Sequence, residues 1–212
     1  MPNSNFPDTS SEFFERLYQS ASDPWNFRKS DYERHRFDAI VAAIADRRYR
    51  LGFEPGCSIG ELSLLLGNYC DQLDAVDFSA SAIRNAKESG ASHHNINFQV
   101  GSLLESPSQV LPEPLSSRRY DLIVFAELGY YFSRQELLAI ASAFWQQLVV
   151  GGRLVACHWL GRSSDHRLTG EETVAALAEA IPAPVQLQRE LGFKQRDRRF
   201  VLQRWEKTGA TQ

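Results

Sequence analysis

"RLGFEPGCSIGELSLLLGNYCDQLDAVDFS" occupies positions 50–79 and reads as strand, tight turn, helix and strand. The first strand, "YRLGFEP", carries the acid Glu54 near its end. Gly56 and Gly60 follow, and residues without a Cβ let the chain turn tightly and bring backbone close to a ligand. Ile59 to Asn68 reads as a helix, and "QLDAVDF" as a second strand that brings Asp77 to its end. Asp77 is well placed to accept hydrogen bonds from the two hydroxyls of a ribose. Capping the next helix is the other task open to it, but Ser79 already suits that one.

The same alternation extends both ways. Upstream, "SEFFERLYQS" (11–20) reads as a short amphipathic helix and "ASDPWNFRKS" as a loop broken by Pro24. "DYERHRFDAIVAAIADRR" (31–48) has Phe37, Ile40, Val41 and Ile44 at helical spacing. Downstream come the helix "ASAIRNAKES", the strand "INFQV", a polar stretch from Ser102 to Arg119, and the buried strand "YDLIVFAE". Ser133 with Glu136 three residues later opens "SRQELLAIASAFWQQL" as a capping box. "VVGGRLVACHW" reads as a turn and strand, and "TGEETVAALAEAI" as a helix. The tail reads as two strands joined near Arg196–Arg198. Such alternation predicts an α/β fold: a doubly wound, mainly parallel seven-stranded sheet with a C-terminal antiparallel hairpin. Residues 1–48 would form a helical extension and 49–207 the sheet domain, within one globular unit.

The 212 residues suit a single domain with a sizeable core. A net charge of −3 gives no bulk attraction to nucleic acid or to an anionic membrane. Cys57, Cys70 and Cys157 are far apart and odd in number, so they predict neither a metal site nor a disulfide framework. The start, "MPNSNFPDTS", is too polar for a signal peptide, and no apolar run approaches the length of a membrane span. The expectation is a cytoplasmic protein whose partner is a small molecule.

Ligands of such sheets lie at the carboxyl ends of the strands, near the switch point. A dinucleotide turn requires G-x-G-x-x-G, and a phosphate-cradling loop requires G-x-x-x-x-G-K-[ST]. Here Ser58 occupies the middle glycine's place, and no lysine is present. Glu54, two residues before Gly56, would repel a phosphate and suit an ammonium group. A nucleoside with an amino-acid tail and no phosphate meets these demands, and S-adenosylmethionine is such a molecule.

Glu54-x-Gly56-x-x-x-Gly60 resembles the first motif of the class I methyltransferases, [DE]-x-G-x-G-x-G, and Asp77 matches that family's ribose acid. "FQVGSLLE" resembles the third-strand motif, placing Ser102 and Leu103 against adenine. "YDLIVFAELGYYF" and "LVVGGRLVACHW" resemble the fourth- and fifth-strand segments. Two residues depart from the pattern: Ser58 replaces a glycine, and Ser102 an acid often found there. "DPWNF…YERHRF", "EPGCSIG" and "AELGYYF" are similar to the nodulation-protein-S type, which N-methylates the free amino group of the terminal glucosamine in a deacetylated chito-oligosaccharide. The resemblance implies S-adenosylmethionine held by Glu54, Gly56, Cys57, Ser58, Gly60, Asp77, Phe78, Ser102, Leu103 and Glu127, under an N-terminal lid that includes Trp25.

The acceptor would face Glu127, Tyr130 and His158. Glu127 follows an apolar strand, where a carboxylate is costly unless partnered or facing a cleft. Glu127 and His158 are the candidate bases and Tyr130 a hydrogen-bonding group. Trp159 and Tyr131 read mainly as packing. No lysine or arginine stands at the ends of these two strands, so the pattern favours a cationic or neutral acceptor, above all an amine such as an amino-sugar. O-methylation of another small molecule, or a non-catalytic S-adenosylmethionine-binding module, are the other readings. No metal is required.

Overall fold

In this computed structural model of the protein the described residues are 10–104, 111, 113–193 and 195–209, without the side chains of 193 and 195–198. The expected polar start (1–9) and part of the polar connection (105–110 and 112) lie outside them.

Helices α1 (Ser11–Ser20) and α2 (Asp31–Ala42) precede β1 (Tyr49–Pro55), α3 (Glu61–Gly67), β2 (Cys70–Asp77), α4 (Ala80–Ser89) and β3 (Ile96–Val100). Then come β4 (Tyr120–Ala126), α5 (Arg134–Gln147), β5 (Leu148–Trp159), α6 (Gly170–Ala180), β6 (Leu187–Phe193) and β7 (Gln195–Glu206). The strand order is β3-β2-β1-β4-β5-β7-β6, with β7 antiparallel to both of its neighbours and the other pairings parallel. This is the doubly wound, mainly parallel sheet with a C-terminal hairpin.

Local chemistry accounts for most of the boundaries. Ser79 caps α4 by accepting the Ala82 N–H, and Ser133 and Glu136 form the capping box of α5. Thr169 and Glu172 form a second box at α6. From Leu122 onward β4 is apolar without interruption because both its faces are covered. Ile123 and Phe125 pack with α5 residues Ile140 and Phe144, whereas Leu122 and Val124 pack with Ile40 and Leu66 on the opposite face.

Three boundaries differ from expectation. α3 starts at Glu61 rather than Ile59, because Ser58 and Gly60 have φ of 52° and 83° and cannot belong to a right-handed helix. α2 stops at Ala42 rather than running to position 48, since the chain must turn for Tyr49 to donate its N–H to Tyr69 O. β7 already runs from Gln195, so the hairpin reverses before Arg196–Arg198.

Candidate active site

The winding of the sheet reverses between β1 and β4, the position where open α/β sheets bind ligands. A cavity of about 430 Å³ opens there, lined from β1, β2 and β4 and covered by α1, α2 and the loop between them.

One wall is the turn read from the sequence. The Gly56 and Cys57 N–H groups both donate to Val76 O, at 2.7 and 2.9 Å, and Gly60 N–H donates to Cys57 O at 2.9 Å. Gly60 cannot be replaced freely, because its φ is 83° and a Cβ would stand 3.0 Å from the Phe98 ring. Asp77 ties the wall together: Oδ2 accepts the Ser58 N–H at 3.0 Å and Oδ1 the Ser79 N–H at 2.9 Å. Glu54 accepts the Ser63 hydroxyl at 2.5 Å.

Both acids are buried, and burial raises Glu54 to about 8 and Asp77 to about 6, against the pull of these hydrogen bonds. Neither has an ion-pair partner among the described residues. Two buried carboxylates without a cation fit a ligand that brings an ammonium group and hydroxyl donors. Cys57, Ser58, Phe78, Ser102 and Leu103 complete this side. The Cys57 thiol is pushed up by burial, which suits packing rather than nucleophilic chemistry.

The cover is locked down by polar contacts. Glu15 of α1 accepts the Ser79 and Ser81 hydroxyls, each at 2.6 Å, and is held at about 2 by those bonds. The Tyr18 hydroxyl donates to Ser58 Oγ at 2.6 Å. Phe14 meets Phe78 edge-on at 5.6 Å, stacks on Trp25 at 6.2 Å and meets Tyr131 edge-on at 5.1 Å. Trp25 and Tyr131 thus line the cavity.

The facing wall is built around Glu127, whose backbone is left-handed at φ 54°. That conformation costs a non-glycine residue about 1–3 kcal/mol and is characteristic of functional sites. Glu127 Oε1 accepts the Trp159 N–H at 2.7 Å and meets Arg36 Nη1 at 3.2 Å, while Oε2 accepts the Tyr130 hydroxyl at 3.0 Å. Arg36, 2% exposed, also pairs with Glu33 one turn earlier in α2.

One expectation differs from the geometry here. His158 does not line the cavity and is fully buried. Its Nε2 accepts the Gly129 N–H at 3.1 Å, so it holds up the turn that carries Tyr130. Burial, Arg36 and His166 lower it to about 3, so it stays neutral behind the cavity wall. The ends of β4 and β5 carry no lysine or arginine, but Arg36 reaches this side from α2, and Arg167, in the loop after β5, lines the cavity paired with Glu136 at 3.1 Å. Trp159 does not line the cavity either; it serves through its backbone N–H.

The sheet order, the glycine turn and the paired strand-end acids define a methyltransferase of the S-adenosylmethionine-dependent class. The family model described as "Nodulation protein S (NodS)" matches residues 7–210, so the chain belongs to the NodS family. The N-methyltransferase NodS from Bradyrhizobium japonicum WM9, solved with S-adenosyl-L-homocysteine, superposes with a TM-score of 0.78 at 21% identity, over 92% of this chain and 97% of that one. A candidate methyltransferase from Pseudomonas syringae is 31% identical, with a TM-score of 0.66 over 83% of this chain and 99% of that one. An S-adenosylmethionine-dependent methyltransferase from Clostridium acetobutylicum ATCC 824 gives 0.66 at 13% identity, over 93% and 99%. No curated protein sequence matches the chain at a significant level.

Sequence reasoning missed Glu15, Glu33 and Arg36. For Arg36 a signal existed: it stands directly before Phe37, on the flank of the apolar face of α2.

Proposed function

We propose that this enzyme transfers a methyl group from S-adenosylmethionine to the nitrogen of a small amine, an amino-sugar being the best fit. The observation that carries this reading is the acceptor wall, where Glu127, Glu33 and Tyr130 offer oxygen atoms around the single guanidinium of Arg36. The name of the B. japonicum relative, an N-methyltransferase, adds support.

Asp77 would accept the ribose hydroxyls, Glu54 would face the ammonium end, and Ser102 and Leu103 would flank the adenine. Bound there, the cofactor supplies an activated methyl carbon on a sulfonium. The protein must align the acceptor nitrogen with that carbon, which is worth up to ~7–11 kcal/mol. An ammonium acceptor first gives one proton to the Glu127 carboxylate, leaving a lone pair on nitrogen. The N–C bond then forms as the C–S bond breaks, with its electron pair passing to sulfur. The methylated ammonium leaves, and Glu127 returns its proton to water. Tyr130 donates to Glu127, so its oxygen is left to accept a hydrogen bond from the acceptor.

The test is incubation with labelled cofactor and a panel of amino-sugars and their hydroxyl analogues, followed by mass spectrometry. Products heavier by one methyl group on nitrogen are expected. Methylation confined to oxygen acceptors overturns the N-acceptor reading. Cofactor binding without turnover on any panel member indicates a binding module.

A further inference from the structure

The charged side chains lining the cavity do not all count equally toward an acceptor. Glu61 is paired with Arg28 at 2.8 Å, and Glu136 with Arg167 at 3.1 Å, so each pair cancels itself. Glu54 and Asp77 belong to the opposite wall, with the glycine turn. What remains is Arg36, held between Glu33 and Glu127.

A guanidinium withdrawn from water is tolerated only when matched by carboxylates in good geometry. One partner would have sufficed to neutralise it. Among the described residues the other groups packed around Arg36 bring no further charge: Phe37 lies against it at 5.3 Å, burial keeps Tyr130 and Cys157 protonated, and His158 stays neutral. One cation shared by two carboxylates leaves the acceptor wall with a single negative charge.

We infer that Arg36 sets the charge of the acceptor site, and that Glu33, with Glu127, makes it select an acceptor carrying one positive charge over neutral or anionic analogues. This deepens the amine reading and rests on it. Glu33 is then a specificity residue supplied by the N-terminal extension, and Arg36 the positioning residue that fixes both carboxylates.

The experiment is calorimetric titration of glucosamine, glucose and glucuronate into the protein saturated with S-adenosylhomocysteine. Affinity should fall in that order, with glucosamine at least tenfold tighter than glucose. Glu33→Gln should abolish most of that tenfold preference, and should raise KM for an amine substrate about tenfold with kcat little changed. S-adenosylhomocysteine affinity should stay as in the wild type. Added salt should weaken glucosamine binding to the wild type and leave glucose binding unaffected. The salt comparison needs no variant, so it decides the question even if Glu33→Gln folds poorly. Equal affinity for glucosamine and glucose, no salt effect, or a Glu33→Gln protein with wild-type preference each overturns the inference. Methylated nitrogen in the product panel alongside an indifferent Glu33→Gln would sink the inference while leaving the amine reading intact; oxygen-only products sink the reading itself.

Discussion

Glu54 and Asp77, at the ends of β1 and β2, are buried carboxylates with no cation beside them among the described residues, and both are raised by burial. Glu33 and Glu127, across the same cavity, share the buried Arg36. The first wall suits a ligand that brings its own positive charge and hydrogen-bond donors. The second is largely compensated before any ligand arrives, and only one charge is left to select with. The β1–β2 wall should therefore respond to pH and to cofactor strongly, and the Arg36 wall to acceptor charge.

The largest effect should come from Glu127→Gln, which keeps the shape and removes the charge. Turnover should fall about 10²-fold or more if Glu127 takes the acceptor proton, and raising the pH should restore part of it by supplying free amine. S-adenosylhomocysteine affinity should hardly change. Full activity at neutral pH would remove Glu127 from the chemistry and leave the acceptor wall purely a binding surface.

Asp77→Ala should weaken S-adenosylhomocysteine binding by roughly 1.5–3 kcal/mol, the range for hydrogen bonds to a charged group. Calorimetry on the folded variant checks it. Unchanged affinity would assign Asp77 to holding the Ser58 and Ser79 amides alone.

The pH response of the first wall has a definite sign. Glu54 titrates near 8 in the folded protein, well above an exposed carboxylate. The folded state therefore holds more protons than the unfolded chain between about pH 4.5 and 8, and stability falls as pH rises through that window. The thermal midpoint of the ligand-free protein should be lower at pH 8 than at pH 6. Glu54→Gln should flatten that fall, and saturating S-adenosylhomocysteine should reduce it. An identical pH profile for Glu54→Gln would mean that Glu54 is not the group responsible.

The smallest effect concerns the seam between the walls. Tyr18→Phe removes the bond to Ser58 Oγ and should cost about 0.5–1.5 kcal/mol. Amide exchange across residues 11–20 should quicken, and cofactor should slow it again. Exchange as slow as in the wild type would show that the aromatic contacts of Phe14 and Trp25 suffice.

How far the sequence was readable follows the range of each contact. The turn of Gly56 and Gly60, the Ser79 cap and the Ser133–Glu136 box are local patterns, written within a few residues of themselves. The mainly parallel sheet followed from alternation, since parallel neighbours need helical crossovers, whereas its strand order did not. The wall of Arg36, Glu33 and Glu127 is not local. Arg36 meets Glu127 across 91 positions, counted from their numbers, and a charge on a helix normally reads as a solvated face. His158 was misread for a related reason: its place at a strand end was visible, but its 0% exposure depends on the Gly129 turn folding over it. Ser58 was legible only as a departure from a glycine pattern. The structure gives that departure a partner, the Tyr18 hydroxyl.

The position of β7 bears on how the chain is made. It is the last strand in sequence, yet it lies between β5 and β6 and buries Trp205 completely. While the chain emerges from the ribosome, β5 has an open edge and β6 has nowhere to pair. Neither is satisfied until Glu206 is free of the exit tunnel. Non-local pairing of this kind is slow, and the waiting edge is exposed to other chains. A sheet that parallel crossovers could build in order is thus finished out of order, by the dozen residues of β7.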